Sequence, residues 1–145
     1  MTQHDQRADL LTDPHVALDG SPAIVGPPHE LSMVYGGGGI FGIAYGAGVA
    51  MGLRESGIPV EKAPALGTSA GSWVASVMAL GLTYEDLAAL PSPSVPTRRP
   101  VLYRATSELF GDATHPLVSV SCVRLRTRRR HVFDGGAYTL ADLVA

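Results

Sequence analysis

The pentapeptide Gly67-Thr68-Ser69-Ala70-Gly71 sets a hydroxyl nucleophile between two residues that have no side chain. It lies between an apolar run and a helix-forming stretch, which is the setting a nucleophile elbow requires. In such an elbow the serine occupies a tight strand-to-helix turn with a strained backbone. Strand and helix pass close to each other there, so the flanking residues must be small, as Gly67 and Gly71 are. The hydroxyl then faces outward at a helix N-terminus. The amide of Ala70 and the helix dipole can stabilise negative charge developing beside Ser69. A five-residue pattern also arises by chance, and an ordinary glycine turn capped by a serine has the same letters. The strand-and-helix setting favours catalysis.

A second glycine motif precedes it: Gly36-Gly37-Gly38-Gly39, continuing as Ile40-Phe41-Gly42. Gly37 to Gly42 also fits Gly-x-Gly-x-x-Gly, the turn that opens a dinucleotide site. That reading needs an acidic residue about 20 positions on, at the end of the next strand, to hold a ribose. Glu61 is near that distance but precedes the apolar run Ala63–Leu66. The alternative is an oxyanion hole, in which glycine amides face a carbonyl oxygen as it becomes O⁻. Two such motifs at strand-to-helix junctions would meet at one edge of a sheet. The nucleotide reading leaves Ser69 without a role.

Gly-Gly-Gly-x-x-Gly followed by Gly67-Thr68-Ser69-Ala70-Gly71-Ser72 resembles the patatin-like phospholipases, in a bacterial-type form. The resemblance is firm from about Leu31 to Leu82 and weaker from Leu117 to Ala145. It implies an α/β fold with a three-layer sheet and flanking helices, and lipid acyl hydrolase activity on a lipid or ester substrate. It further implies a Ser-Asp dyad, no metal and no cofactor. Carried over by position, Ser69 is the nucleophile. Gly37, Gly38, Gly39 and the amide of Ala70 form the oxyanion hole. Phe41 departs from the family, many of whose members have Arg or Lys there.

A serine hydroxyl needs a neighbouring base to take its proton. The family draws this base from a late Asp-Gly-Gly or Asp-Gly-Ala motif, and Asp134-Gly135-Gly136 is the one match. Asp134, however, precedes a helix that it follows in the family, and it stands closer to Ser69 along the chain than is usual. The preferred reading of Asp134 is a strand-to-helix turn, which suits Asp and Gly; the dyad base is the alternative. On the preferred reading the chain stops short of the true motif and is a C-terminally truncated member, a remnant without its base. His115 and His131 are bases by type, but they read as surface residues. His4, His15 and His29 fall in the N-terminal leader.

These residues need elements to position them. Residues 1–30 are polar and proline-containing and read as a flexible leader; residues 31–145 read as one domain. Leu31–Tyr35 can form a buried strand, and a helix is expected from about Ile40 to Ser56 with Ile43, Ala47, Ala50 and Met51 on one face. A second helix is expected from Ala70 to Leu80, with Trp73, Val74, Val77, Met78 and Leu80 as core positions. Thr83 and Asp86 fit a capping box for a third. The stretch 91–100 reads as a Pro-rich connector without regular structure. A short helix is expected from Leu102 to Phe110 and a clear strand from Leu117 to Val123. A turn over Arg126–Arg129 then leads to a strand at His131–Phe133 and a helix capped by Thr139. This order predicts a parallel or mixed sheet with helices on its faces.

Composition bounds the rest. The chain has 145 residues, 46% of them hydrophobic and 17% charged, with a formal net charge of −2. This suits one globular domain and gives no overall pull toward nucleic acid. Arg124, Arg126, Arg128, Arg129 and Arg130 form a local basic run. A solvated hairpin turn is the preferred reading of it; a transient contact with anionic headgroups at a membrane surface, or with nucleic acid, is the other, though no aromatic residues interleave it as a nucleic-acid platform would want. The single Cys122 excludes an internal disulfide and reads as a buried, inert thiol in a reducing compartment. The N-terminus has no apolar signal segment, and no apolar run approaches the roughly 20 residues of a membrane span. The cytoplasm is the expected location. The oligomeric state is left open.

Overall fold

The computed structural model describes residues 30–90 and 99–145. The expected leader, up to residue 29, and most of the expected connector lie outside the described residues. The first strand, β1, is Met33–Tyr35, and the glycine run carries it into helix α1, Gly39–Glu55. A 3-10 turn at Val60–Lys62 leads to β2, Ala65–Gly67. Helix α2, Ala70–Ala79, follows Ser69 directly, and the short α3 is Tyr84–Ala88. Helix α4 is Arg99–Phe110, β3 is Val118–Arg124, β4 is Arg129–Asp134 and α5 is Leu140–Val144.

The four strands form one mixed sheet in the order β1-β2-β3-β4. β1, β2 and β3 run parallel, with Tyr35 beside Gly67 and Gly67 beside Val120. β4 returns antiparallel to β3 as a hairpin, with Arg124 opposite Arg129 and Ser119 opposite Asp134. Both parallel crossovers step in the same direction. Right-handed connections then place α1 and α2 on the same face of the sheet. Ala65, Gly67, Val118 and Val120 on that face are buried. The opposite face presents Val34, Leu66 and Val132, and Val34 is 76% exposed. The third layer expected from the resemblance has no counterpart among the described residues.

Helix α2 is the centre of the core. It packs on β1, β2 and β3 and is flanked by α1 and α5. Every residue from Ala70 to Met78 is buried, so the expected apolar stripe is a helix buried all round. Small residues make this feasible, because alanine, glycine and serine let neighbouring backbones approach. The Ser76 hydroxyl donates to the Ser72 carbonyl at 2.9 Å, which satisfies a buried polar group within the helix. Trp73 meets Phe110 of α4 with ring centroids 5.6 Å apart. On α1, Ala47, Ala50 and Met51 are buried, and Ile43 packs against the core from a half-buried position.

Two local expectations need correction. Helix α4 starts at Arg99, inside the stretch 91–100 expected to be irregular. Pro100 falls in its first turn, where the missing N–H is not needed and the fixed φ suits the helix. Cys122 is half-buried instead of buried, because it sits on β3 beyond the level at which β2 ends. The capping box at α3 is as expected: the Thr83 hydroxyl accepts from the Asp86 N–H while the Asp86 carboxylate accepts from the Thr83 N–H at 2.7 Å. Among the described residues, no helix is long and apolar enough to cross a membrane.

Candidate active site

Ser69 joins β2 to α2 with φ +53° and ψ −122°. That combination matches the first central position of a type II′ turn, which favours glycine. A serine held there carries about 1–3 kcal/mol of backbone strain. Four hydrogen bonds enforce it. The Thr68 N–H donates to the Tyr35 carbonyl at 3.1 Å, tying the loop to the end of β1. The Gly71 and Ser72 amides donate back to the Thr68 and Ser69 carbonyls at 3.0 and 2.9 Å. The buried Ser72 hydroxyl also donates to the Ser69 carbonyl. The side chain of Ser69 is left on the exposed side of the turn, while Ala70 behind it is buried.

The flanking glycines are required by close approach. A Cβ on Gly71 would overlap the Tyr35 carbonyl and stand 2.8 Å from the Gly36 carbonyl oxygen. A Cβ on Gly67 would lie 2.6 Å from both the Gly71 carbonyl oxygen and the Ser72 nitrogen. Helix α2 therefore begins directly against the end of β1 and the backbone of its own strand. The spacing Gly-x-Ser-x-Gly is the sequence trace of these two crossings.

The glycine loop 36–39 leaves β1 at the same edge of the sheet, because Tyr35 and Gly67 are register partners. It reaches the serine: a Cβ on Gly37 would stand 3.7 Å from the Ser69 Cβ, and one on Gly42 3.1 Å from the Ala70 Cβ. Gly39 takes φ +60° as the chain enters α1. Among the described residues, no backbone hydrogen bond outside the helices and strands uses the amide of Gly37, Gly38, Gly39 or Ala70. Gly37 and Ala70 thus stand beside Ser69 with donors to spare, and Gly38 and Gly39 follow Gly37 in the same loop. Such an arrangement can stabilise an oxyanion on an acyl group attached to the serine.

Asp134 is not part of this gathering. It ends β4, two strands away from β2, at the level of Ser119 and Leu66. From there the chain runs toward the beginnings of the parallel strands: Gly135 donates to Val118 and accepts from His115. The Asp134 carboxylate accepts from the Gly136 N–H at 2.8 Å, closing an Asx turn. His115 is half-buried at that same far end, and its Nδ1 accepts from the Leu117 N–H at 3.3 Å. His131 is also half-buried, on β4 opposite Cys122. Both histidines keep part of their surface in solvent, and neither lies beside β2 at the Ser69 edge. Among the described residues, no side-chain hydrogen bond engages the Ser69 hydroxyl.

Glu61 sits on the 3-10 turn before β2, at the opposite end of the sheet from the glycine loop. It is not placed to hold a ribose there. One feature of the site edge escaped sequence reasoning. Tyr35, the last residue of β1, has a buried hydroxyl without a partner, and burial pushes its pKa up. The only sequence signal is an aromatic residue just before a glycine run. Burial likewise pushes the Cys122 thiol up, away from nucleophilic character. Among the described residues, no group of three or more His, Cys, Asp or Glu could hold a metal ion. No family model, curated protein or solved structure matches the chain.

Proposed function

We propose that this chain is a serine acyl hydrolase domain of the patatin-like type, acting on lipid or other carboxylic esters. The observation that supports it best is the strained Ser69 at a strand-to-helix turn, with the Gly37 loop beside it. In this reading Ser69 Oγ attacks the ester carbonyl, and the carbonyl oxygen becomes an anion facing the amides of Gly37, Gly38, Gly39 and Ala70. The carboxylate base of a Ser-Asp dyad takes the serine proton in this reading and gives it to the leaving alcohol as the C–O bond breaks. Water attacks the acyl-serine, releases the carboxylic acid and restores the hydroxyl. The three-layer patatin-like sheet, with helices also covering the face that presents Val34 and Leu66, belongs to the same reading. So do a cytoplasmic location and the absence of any cofactor or nucleic-acid partner.

A second reading is favoured by the position of Asp134. With its carboxylate closing a turn and two strands from β2, this chain carries a nucleophile and an anion cradle without the dyad base. Loss of the base from such a unit costs several orders of magnitude in rate, while the oxyanion hole sustains residual chemistry.

A fluorophosphonate probe and a p-nitrophenyl ester separate the two. Labelling that vanishes in Ser69→Ala, together with steady ester turnover, supports the hydrolase. Labelling with at most a single stoichiometric burst of nitrophenol supports the nucleophile without its base. No labelling of a folded sample overturns the hydrolase and agrees with a serine that lacks its base.

A further inference from the structure

The basic run expected to be a solvated turn is the tip of the β3–β4 hairpin, and the register places it. Gly67 is level with Val120, so β3 continues for four residues beyond the end of β2. At about 3.3 Å per residue this carries the tip about 13 Å past the level of Gly67, on the edge where Ser69 stands. The tip is concentrated positive charge. Arg124 pairs directly with Arg129 across the ladder, and Arg126 and Arg128 occupy the turn between them. Like charges directly opposite in a sheet are destabilising. No acidic residue occurs between Asp112 and Asp134 to offset them. The acids Glu55, Glu61 and Asp112 close α1 or lead into β2 and β3, at the opposite end of the sheet.

Apolar side chains share the basic edge. Leu125, at the hairpin tip, is 76% exposed, and Val123 beside it is exposed as well. Across the site, Ile40 and Phe41 form the first turn of α1 just after the glycine loop, and Phe41 is 86% exposed. Ser69 therefore lies between two exposed apolar groups, one of them ringed by arginines.

We propose that this edge docks on an anionic lipid bilayer, with the hairpin arginines at the headgroups and Leu125 and Phe41 entering the acyl boundary. Charge complementarity identifies the occupant, and the aliphatic tip distinguishes it from a nucleic-acid surface, which would present aromatic residues for base stacking. The inference rests on the hydrolase reading only for its purpose, that of bringing Ser69 to lipid; the docking itself stands on charge and topology.

Sedimentation of the full chain with vesicles tests it. The vesicles are phosphatidylcholine alone, or three parts phosphatidylcholine to one part phosphatidylglycerol. Binding is expected to the mixed vesicles only and to weaken as salt rises. Each arginine near such a surface contributes about fivefold, so the combined Arg126→Gln, Arg129→Gln and Arg130→Gln variant should bind about a hundredfold more weakly. Leu125→Ser, which leaves every charge in place, should also weaken binding and serves where the triple variant fails to fold. Ser69→Ala should bind like the parent, so failed labelling with intact docking would remove the hydrolase reading alone. Equal binding to both vesicles, no binding to either, or tighter capture of a mixed-sequence RNA than of the anionic vesicles would overturn the proposal.

Discussion

Gly71→Ala probes the contact on which the serine turn depends. The added methyl would overlap the Tyr35 carbonyl and crowd the Gly36 carbonyl at 2.8 Å. Both obstacles are backbone, so no side-chain rotation relieves them. Forcing extra volume into a packed site costs about 1–3 kcal/mol. Moving Tyr35 also stretches its 3.1 Å bond from the Thr68 N–H, a loss of about 1 kcal/mol. Alanine returns up to about 1 kcal/mol in helix propensity. The net is a destabilisation of about 1–4 kcal/mol, a fall in Tm of about 4–15 °C for a domain of this size. Gly48→Ala supplies the contrast. Gly48 lies mid-helix in α1, and a Cβ there meets nothing within 4 Å. Alanine at that position should stabilise by about 0.5–1 kcal/mol. Thermal unfolding followed by far-UV circular dichroism reads both. A Gly71→Ala transition at or above that of the parent would refute the claim that the β1–α2 crossing demands glycine.

Three further outcomes follow from the same geometry. Ser69→Gly should raise stability by about 1 kcal/mol, since glycine adopts the strained backbone freely, while abolishing fluorophosphonate labelling; a loss of stability would show that Ser69 is not strained. Asp134→Ala should cost about 1 kcal/mol through the lost Gly136 hydrogen bond, yet leave the rate of Ser69 labelling unchanged. A collapse of labelling in that variant would instead make Asp134 the base. Asp86 is held below its ordinary value of 3.8 by hydrogen bonds from the backbone and side chain of Thr83. A lowered folded pKa stabilises above the ordinary value and loses its effect as pH falls through the lower one. Urea unfolding should therefore show Asp86→Asn weaker than the parent near neutral pH, with the gap closing in acid.

How much of this was legible in the sequence depends on the range of the interaction. Thr83 and Asp86 announce a helix start because a cap is made within four residues, and the structure keeps it. The turn at Asp134 was readable for the same reason, since its carboxylate bonds an amide two residues on. The two glycine motifs were readable because a strand-to-helix turn imposes its demands on the residues that form it. By contrast, the start of α4 within the proline-rich stretch was missed, because proline is tolerated in a first turn and forbidden in the interior. The half-burial of Cys122 depends on where its neighbouring strand stops.

The sequence by itself determined the local machinery: a serine forced into a turn, glycines where backbones cross, and caps that start helices. Only the tertiary structure decided which of these pieces meet. Register between β1, β2 and β3 sets the glycine loop beside Ser69 and carries the arginine hairpin to the same edge. The antiparallel return of β4 sends Asp134 the other way. Strand pairing joins residues far apart in the chain, and its register follows from packing each buried face against α2, which no short stretch of sequence specifies. Ser69 is thus a serine whose posture is written locally and whose neighbours are chosen by the sheet.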